Sequence, residues 1–98
     1  MSKGYWVIAW RSISDPTAVE RYVAPATDAI LANGGRVLAG GVPARSYEQG
    51  VASRLVIVEF DSLQQAIDAY EHPDYQATLV HLVGAAERDV RIIEGAAP

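Results

Sequence analysis

The stretch GYWVIAW, residues 4–10, decides the fold because the side chains on both faces of this segment are apolar. Its aromatic and β-branched content predicts a β-strand. Successive side chains of a strand point to opposite faces, which places Tyr5, Val7 and Ala9 on one side and Trp6, Ile8 and Trp10 on the other. Because neither side is polar, we expect this strand to be covered by other structure on both faces.

Three further strands are predicted from the rest of the chain. The clearest is SRLVIVEF, residues 53–60, whose apolar side chains again alternate between two faces. Another begins with RVLAGG at residue 36 and is interrupted by Gly40, Gly41 and Pro43, which predict a bulge and an edge position because proline cannot donate to a ladder. The last strand covers residues 88–95.

Two helical regions separate these strands. The first, within residues 14–35, has Asp15 as N-cap and Pro16 at the first helical position. Pro25 lies inside its apolar stripe and is expected to kink or locally break it. The second region opens with the capping box of Ser62 and Gln65. It is expected to end near residue 72 and to restart as a helix over residues 73–86.

The resulting order, β-α-β-β-α-β, predicts an α+β fold of the ferredoxin-like type in one domain over residues 1–98. Right-handed crossovers place both helices on one face of a four-stranded antiparallel sheet. The other face stays uncovered, although the first strand (residues 4–10) and the third strand in chain order (residues 53–60) are apolar on both sides. We therefore expect a homodimer that packs the two sheets face to face.

Composition excludes several classes of protein. The net charge is -4 and no basic patch interleaves with aromatic residues, so nucleic acid is not expected as a partner. No apolar run approaches the ~20 residues of a membrane-spanning helix, and no signal peptide is recognised. Cysteine is absent and the histidines lack a metal-ligand spacing, so neither a metal nor a cofactor is expected. A cytoplasmic protein is the default expectation.

Several short motifs together resemble a known family. They are GYW in strand 1, DP at the start of helix 1, NGGR after it, RLVIVEF in strand 3, HPDYQA in helix 2 and a closing EG. In this order and spacing, over residues 3–95, they resemble the domain-of-unknown-function family 1330 in the dimeric α/β-barrel superfamily. The resemblance implies a ferredoxin-like protomer in a homodimer. Branches of the superfamily include cofactor-independent monooxygenases, isomerases and ligand-sensing domains, and the family has no established activity.

Glu59 is the charged residue of an otherwise apolar strand and has two interpretations. If it faces the interior of the dimeric barrel, burial would raise its pKa and make it a candidate general base. If Arg54 or Arg91 reaches it, it forms a structural ion pair. Both interpretations remain open at this point.

His72 lies in the stretch YEHPDYQATL, residues 70–79, which collects groups suited to acid–base chemistry. It is a candidate catalytic residue because histidine titrates near neutral pH. The alternative is architectural, since the residue before a proline is pushed out of the α region and Pro73 with Asp74 favours a new helix start. The architectural interpretation is preferred.

Aromatic side chains suggest what the protein binds. Trp10, Tyr70 and Tyr75 are candidate walls of a pocket for a planar organic molecule, although core packing explains each one separately. The first hypothesis is a dimer that binds an apolar or aromatic molecule and turns it over without a cofactor, by proton transfer or oxygenation. The alternatives are a non-catalytic ligand-sensing module and a purely structural homodimer.

Overall fold

Four antiparallel strands form one sheet, seen in a computed structural model that describes residues 2–97. The strands are β1 (Gly4–Ile13), β2 (Arg36–Gly41), β3 (Leu55–Phe60) and β4 (Ala86–Glu94). Their spatial order is β2-β3-β1-β4, so the two apolar strands are central and β2 is an edge strand. This confirms the predicted ferredoxin-like plan, including the edge position of β2.

The helices differ more from the prediction than the strands do. They are α1 (Pro16–Ala32), α2 (Leu63–Glu71) and α3 (Pro73–Gln76), followed by a 3-10 helix (Ala77–Leu82). The predicted helical segment over residues 73–86 is therefore confirmed through Leu82, although it is 3-10 from Ala77 onward, and it is wrong over residues 83–86. Thr78 bonds back to the carbonyl of Tyr75 at 2.6 Å, and Gly84 turns the chain with a φ of 70°. Of the kink or local break expected at Pro25, the break is wrong, because α1 continues through it, and the kink stays a prediction.

Strand lengths and the bulge also needed correction. β1 reaches Ile13, three residues past the predicted end, because its last residues pair with β4 after a register shift between Trp10 and Ser12. β4 begins at residue 86 instead of 88. In β2 the register shift lies between Val37 and Ala39, just before the glycine pair that predicted it.

Caps at the helix starts follow the sequence closely. The Asp15 carboxylate accepts from the N–H of Ala18 at 3.2 Å, and Ser62 accepts from the N–H of Gln65 at 3.0 Å. Each bond satisfies a backbone donor that a helix leaves free at its N-terminus.

The core lies between the sheet and the helices. Trp6, Phe60, Val58 and Tyr75 have no exposed surface there. Burial along β1 alternates strictly from Gly4 to Trp10, with the even-numbered residues buried against the helices. Since the period of a strand is two, one helical layer can bury only that set of side chains.

The opposite face of the sheet has no covering element within the described part of the chain. Val7, Ala9, Leu55 and Ile57 are half-buried on it. The helices cover one face of the central strands as expected, and the expected cover of the other face stays a prediction. No described helix is both long and apolar enough to cross a membrane.

Candidate ligand cleft between the first helix and the sheet

A cleft of about 370 Å³ opens between α1 and the helix side of the sheet. Helix α1 contributes mainly apolar side chains to it, namely Val19, Tyr22, Val23 and Ala26. The sheet contributes Ile8, Trp10, Val37 and Val56. The volume falls in the lower part of the ~300–1,000 Å³ range of small-molecule sites, and the apolar lining is typical of them.

Gly40 of β2 leaves part of this space open. A Cβ atom placed on it would have no neighbouring heavy atom nearer than 3.8 Å, to Val56 Cγ2. Any larger residue at this point of the sheet would project a side chain into the cleft, because Gly40 is one of its lining residues. The glycine pair therefore shapes the cleft as well as the strand.

Trp10, Tyr22 and Arg88 form the inner wall of the cleft. Trp10 is 5 % exposed, and its ring meets that of Tyr22 edge-on with centroids 5.7 Å apart. The Cζ atom of Arg88 lies 5.0 Å from the Trp10 ring centroid and 5.2 Å from that of Tyr22. The cross-strand pairing of Trp10 with Arg88 brings these side chains together. A guanidinium over two aromatic rings makes cation–π contacts.

Two phenols hold this arginine from behind. The Tyr22 and Tyr75 hydroxyl oxygens are 2.5 Å apart. Arg88 Nη1 donates to Tyr22 at 3.0 Å, and both Nη1 and Nη2 donate to Tyr75 at 3.3 Å. Burial and the adjacent Tyr75 raise the pKa of Tyr22, more than Arg88 lowers it, so Tyr22 is protonated at neutral pH.

Of the three predicted pocket aromatics, Trp10 lines the cleft. Tyr75 lies behind the wall with no exposed surface, and Tyr70 packs edge-on against Trp6 at 5.6 Å. Neither tyrosine lines the cleft. Their predicted contact with a ligand stays a prediction.

Glu59 lies on the uncovered face of the sheet, away from the cleft. The Tyr5 hydroxyl donates to it at 2.9 Å, and Arg36 donates from Nε at 3.2 Å and Nη2 at 3.0 Å. These hydrogen bonds, first from Tyr5 and then from Arg36, lower the pKa of Glu59. In this protomer the two donors outweigh the effect of burial. The raised pKa expected for a Glu59 inside the dimeric barrel stays a prediction. The ion-pair interpretation holds with Arg36 as partner, not the predicted Arg54 or Arg91.

His72 has the architectural role that the sequence favoured. It ends α2 with an extended backbone and caps α3, where its Nδ1 accepts from the N–H of Asp74 at 3.0 Å. Its side chain is 42 % exposed. The catalytic roles predicted for His72 and Glu59 stay predictions, and neither residue lines the cleft.

Sequence reasoning missed Arg88 and Gly40 as parts of a site. The signal for Arg88 was a charge at the start of the last strand, but its partner Trp10 is 78 positions away in the chain. Trp10 and Arg88 are neighbours only in one register of the two strands. The sequence pattern does not specify which register the strands adopt, because shifting one strand by two residues keeps the same side chains on each face. Elsewhere, no group of three described histidine, aspartate or glutamate side chains is arranged to hold a metal ion.

Comparison with known proteins agrees with this architecture. The sequence profile of the family DUF1330, a domain of unknown function, matches residues 3–96. A search of curated proteins finds no match. The fold also matches a protein of unknown function from Rhodopseudomonas palustris with a TM-score of 0.72, at 14% identity, over 99% of this chain and 85% of that chain.

Two further solved structures share the fold. A dimeric ferredoxin-like protein of unknown function from Thermobifida fusca has a TM-score of 0.62 at 17% identity, over 98% of this chain and 92% of its own. A cofactor-independent oxygenase from Streptomyces nogalater has a TM-score of 0.62 at 10% identity, over 100% and 97%. At these identities the similarity establishes the fold alone.

Proposed function

This chain belongs to the DUF1330 family, a domain of unknown function, and we propose that it binds a small apolar or aromatic organic molecule in the cleft beside Trp10. The observation that carries the proposal is the cleft itself, about 370 Å³ between α1 and the sheet, with an aromatic inner wall. Apolar clefts with a few convergent polar groups are the usual form of ligand sites.

The proposal is limited to binding, because the predicted general base is not part of the cleft. The predicted general base Glu59 is engaged by Tyr5 and Arg36 on the opposite face of the sheet. A general base has to come within hydrogen-bond reach of the proton that it abstracts. A ligand in the cleft would be separated from Glu59 by the sheet.

We expect that enlarging Val23 closes the cleft. Val23 lies at its rim and is 51% exposed, so Val23→Phe places a ring in the cleft without disturbing the core. Crowding of this kind should weaken binding by roughly tenfold or more. The measurement is an NMR titration of the two indole N–H signals with phenylacetamide, phenylacetate and 1,4-naphthoquinone, in which the Trp10 signal should move and the buried Trp6 signal should not.

Leu31→Phe is the matched control for this experiment. Leu31 is on the same helix and 59% exposed, but it does not line the cleft. Equal binding by the two variants, or shifts centred on Trp6, would show that the cleft is not the ligand site.

The proposal includes a homodimer formed through the uncovered face of the sheet. Val7, Ala9, Leu55 and Ile57 form an apolar strip along the two central strands of that face. Charged pairs flank the strip, with Arg36 and Glu59 at one end and Asp89 between two arginines at the other. An apolar centre with a polar rim is the usual composition of a protein interface, and an isologous dimer would cover both sheets at once.

Ile57→Asp is expected to abolish this dimer. Ile57 lies at the centre of the apolar strip, opposite Val7, so a carboxylate there would be buried without a partner in the interface. Size-exclusion chromatography with light scattering should change from the dimer mass to the monomer mass. Val83→Asp is the control, since Val83 is 82% exposed on the helical side. A wild-type monomer, or a dimer that survives Ile57→Asp, would contradict the interface.

A further inference from the structure

The inner wall of the cleft carries a positive charge without an acidic partner. Arg88 is half-buried, yet within residues 2–97 none of its nitrogens forms an ion pair with a carboxylate. Buried charges in proteins are usually paired. The guanidinium is charged, because arginine is not deprotonated in proteins.

Hydrogen-bond donors outnumber acceptors around this charge. The two phenols supply two O–H groups, and the bond between Tyr22 and Tyr75 uses one of them. The remaining bonds to the phenol oxygens come from Arg88, which is itself a donor. One phenol hydrogen therefore has no acceptor among the described residues. The Arg88 bonds occupy at most three of its five N–H groups, and the other N–H groups have no acceptor among residues 2–97.

Two more side chains extend this pattern. The Trp10 Nε1 is buried with no hydrogen-bond partner. Since this atom is fully covered, contact with a ligand is assigned to Arg88 and not to Trp10. Arg54 also lines the cleft from the exposed side, near Gly40, and no described carboxylate pairs with it. Glu20 is the acidic side chain among the lining residues, and it is exposed.

We propose that the cleft takes an apolar carboxylic acid in its ionised form, with the carboxylate on Arg88 and the apolar body along Trp10, Val56 and α1. This rests on the proposed function, because it names the chemical class of the molecule bound there. A carboxylate in the cleft supplies the missing negative charge together with acceptors for the N–H groups of Arg88. Guanidinium groups bind carboxylates through two parallel donors, and the residual N–H groups of Arg88 are available for this.

The test compares ligands that differ only in charge. Phenylacetate and phenylacetamide have the same ring and nearly the same size, so their affinity ratio isolates the carboxylate. Titrations at pH 7.5, followed through the Trp10 indole N–H signal, should show phenylacetate binding at least roughly tenfold more tightly. Added salt should weaken the binding of phenylacetate and leave the binding of phenylacetamide unchanged.

Three variants complete the experiment. Arg88→Gln should bring the affinity ratio close to one, whereas Arg21→Gln, an exposed change on α1 outside the cleft, should keep it. Arg88→Lys keeps the charge and should retain part of the preference, which covers the case that Arg88→Gln does not fold. Equal binding of both compounds, sensitive to Val23→Phe, would overturn the anion inference and leave the cleft proposal intact. No binding of phenylacetate, phenylacetamide or 1,4-naphthoquinone would overturn both proposals.

Discussion

Trp6→Ala is expected to lower the free energy of unfolding by about 3–5 kcal/mol, the range found for large aromatic residues truncated in cores. Trp6 has no exposed surface and touches three other aromatic rings, with centroid distances of 5.0 Å to Phe60, 5.6 Å to Tyr70 and 4.8 Å to Tyr75. Its Nε1 also donates to the carbonyl of Ala66 at 2.7 Å, which links β1 to α2. Truncation removes the packing and the link together.

Urea denaturation followed by circular dichroism measures this change, at one protein concentration because a dimer makes stability concentration-dependent. Domains of this size are stable by about 5–15 kcal/mol, so the variant would lose a large part of its stability. Val83→Ala, at a residue 82% exposed, should change it by no more than about 0.5 kcal/mol. A loss below about 1 kcal/mol in Trp6→Ala would mean that the aromatic cluster is not the centre of the core.

Gly4→Ala is the second change with a large expected effect. A Cβ atom on Gly4 would lie 2.5 Å from the carbonyl oxygen of Ser62 and 2.7 Å from the Cα of Leu63. Both atoms belong to the backbone at the start of α2, so no side chain can rotate away. We expect the free energy of unfolding to fall by about 1–3 kcal/mol or more, as overpacked cores do.

Gly40→Ala is the matched control, because a Cβ there meets nothing nearer than 3.8 Å. Where the backbone is compatible, alanine in place of glycine stabilises by about 0.4–1 kcal/mol through the unfolded chain. Thermal melts of the two variants should therefore move in opposite directions. If Gly4→Ala has the same melting temperature as the wild type, the start of α2 is free to move away from β1. The close contact would then not constrain residue 4.

The fold was largely predictable because its signals are local. Alternating apolar residues mark β1 and β3, and the caps at Asp15 and Ser62 mark the helix starts. Pro73 was also informative, since it correctly divides the second helical region after His72. The 3-10 helix after residue 76 was missed because helix propensity does not separate a 3-10 helix from an α-helix. Whether Pro25 interrupts α1 depends on the packing around that helix.

The candidate site was much less predictable. Trp10 was among the predicted pocket walls and Arg88 was not. For Glu59 the sequence left a general base and an ion pair both open, and it did not identify Arg36 as the partner. In each case the partner decides the chemistry. Glu59 is an ordinary paired carboxylate because Arg36 and Tyr5 reach it from the two neighbouring strands, and no pattern in β3 alone reveals that.

Periodicity and caps in the chain specify the order of the elements, the faces of the strands and the apolar surface that predicts a partner, because these depend on neighbours within a few residues. The position of charges relative to one another had to come from the folded molecule. Arg88 meets Trp10, Tyr22 and Tyr75 through strand register and helix packing. Such contacts join distant parts of the chain, and an uncompensated cation in an apolar cleft becomes visible only when all its neighbours are in place.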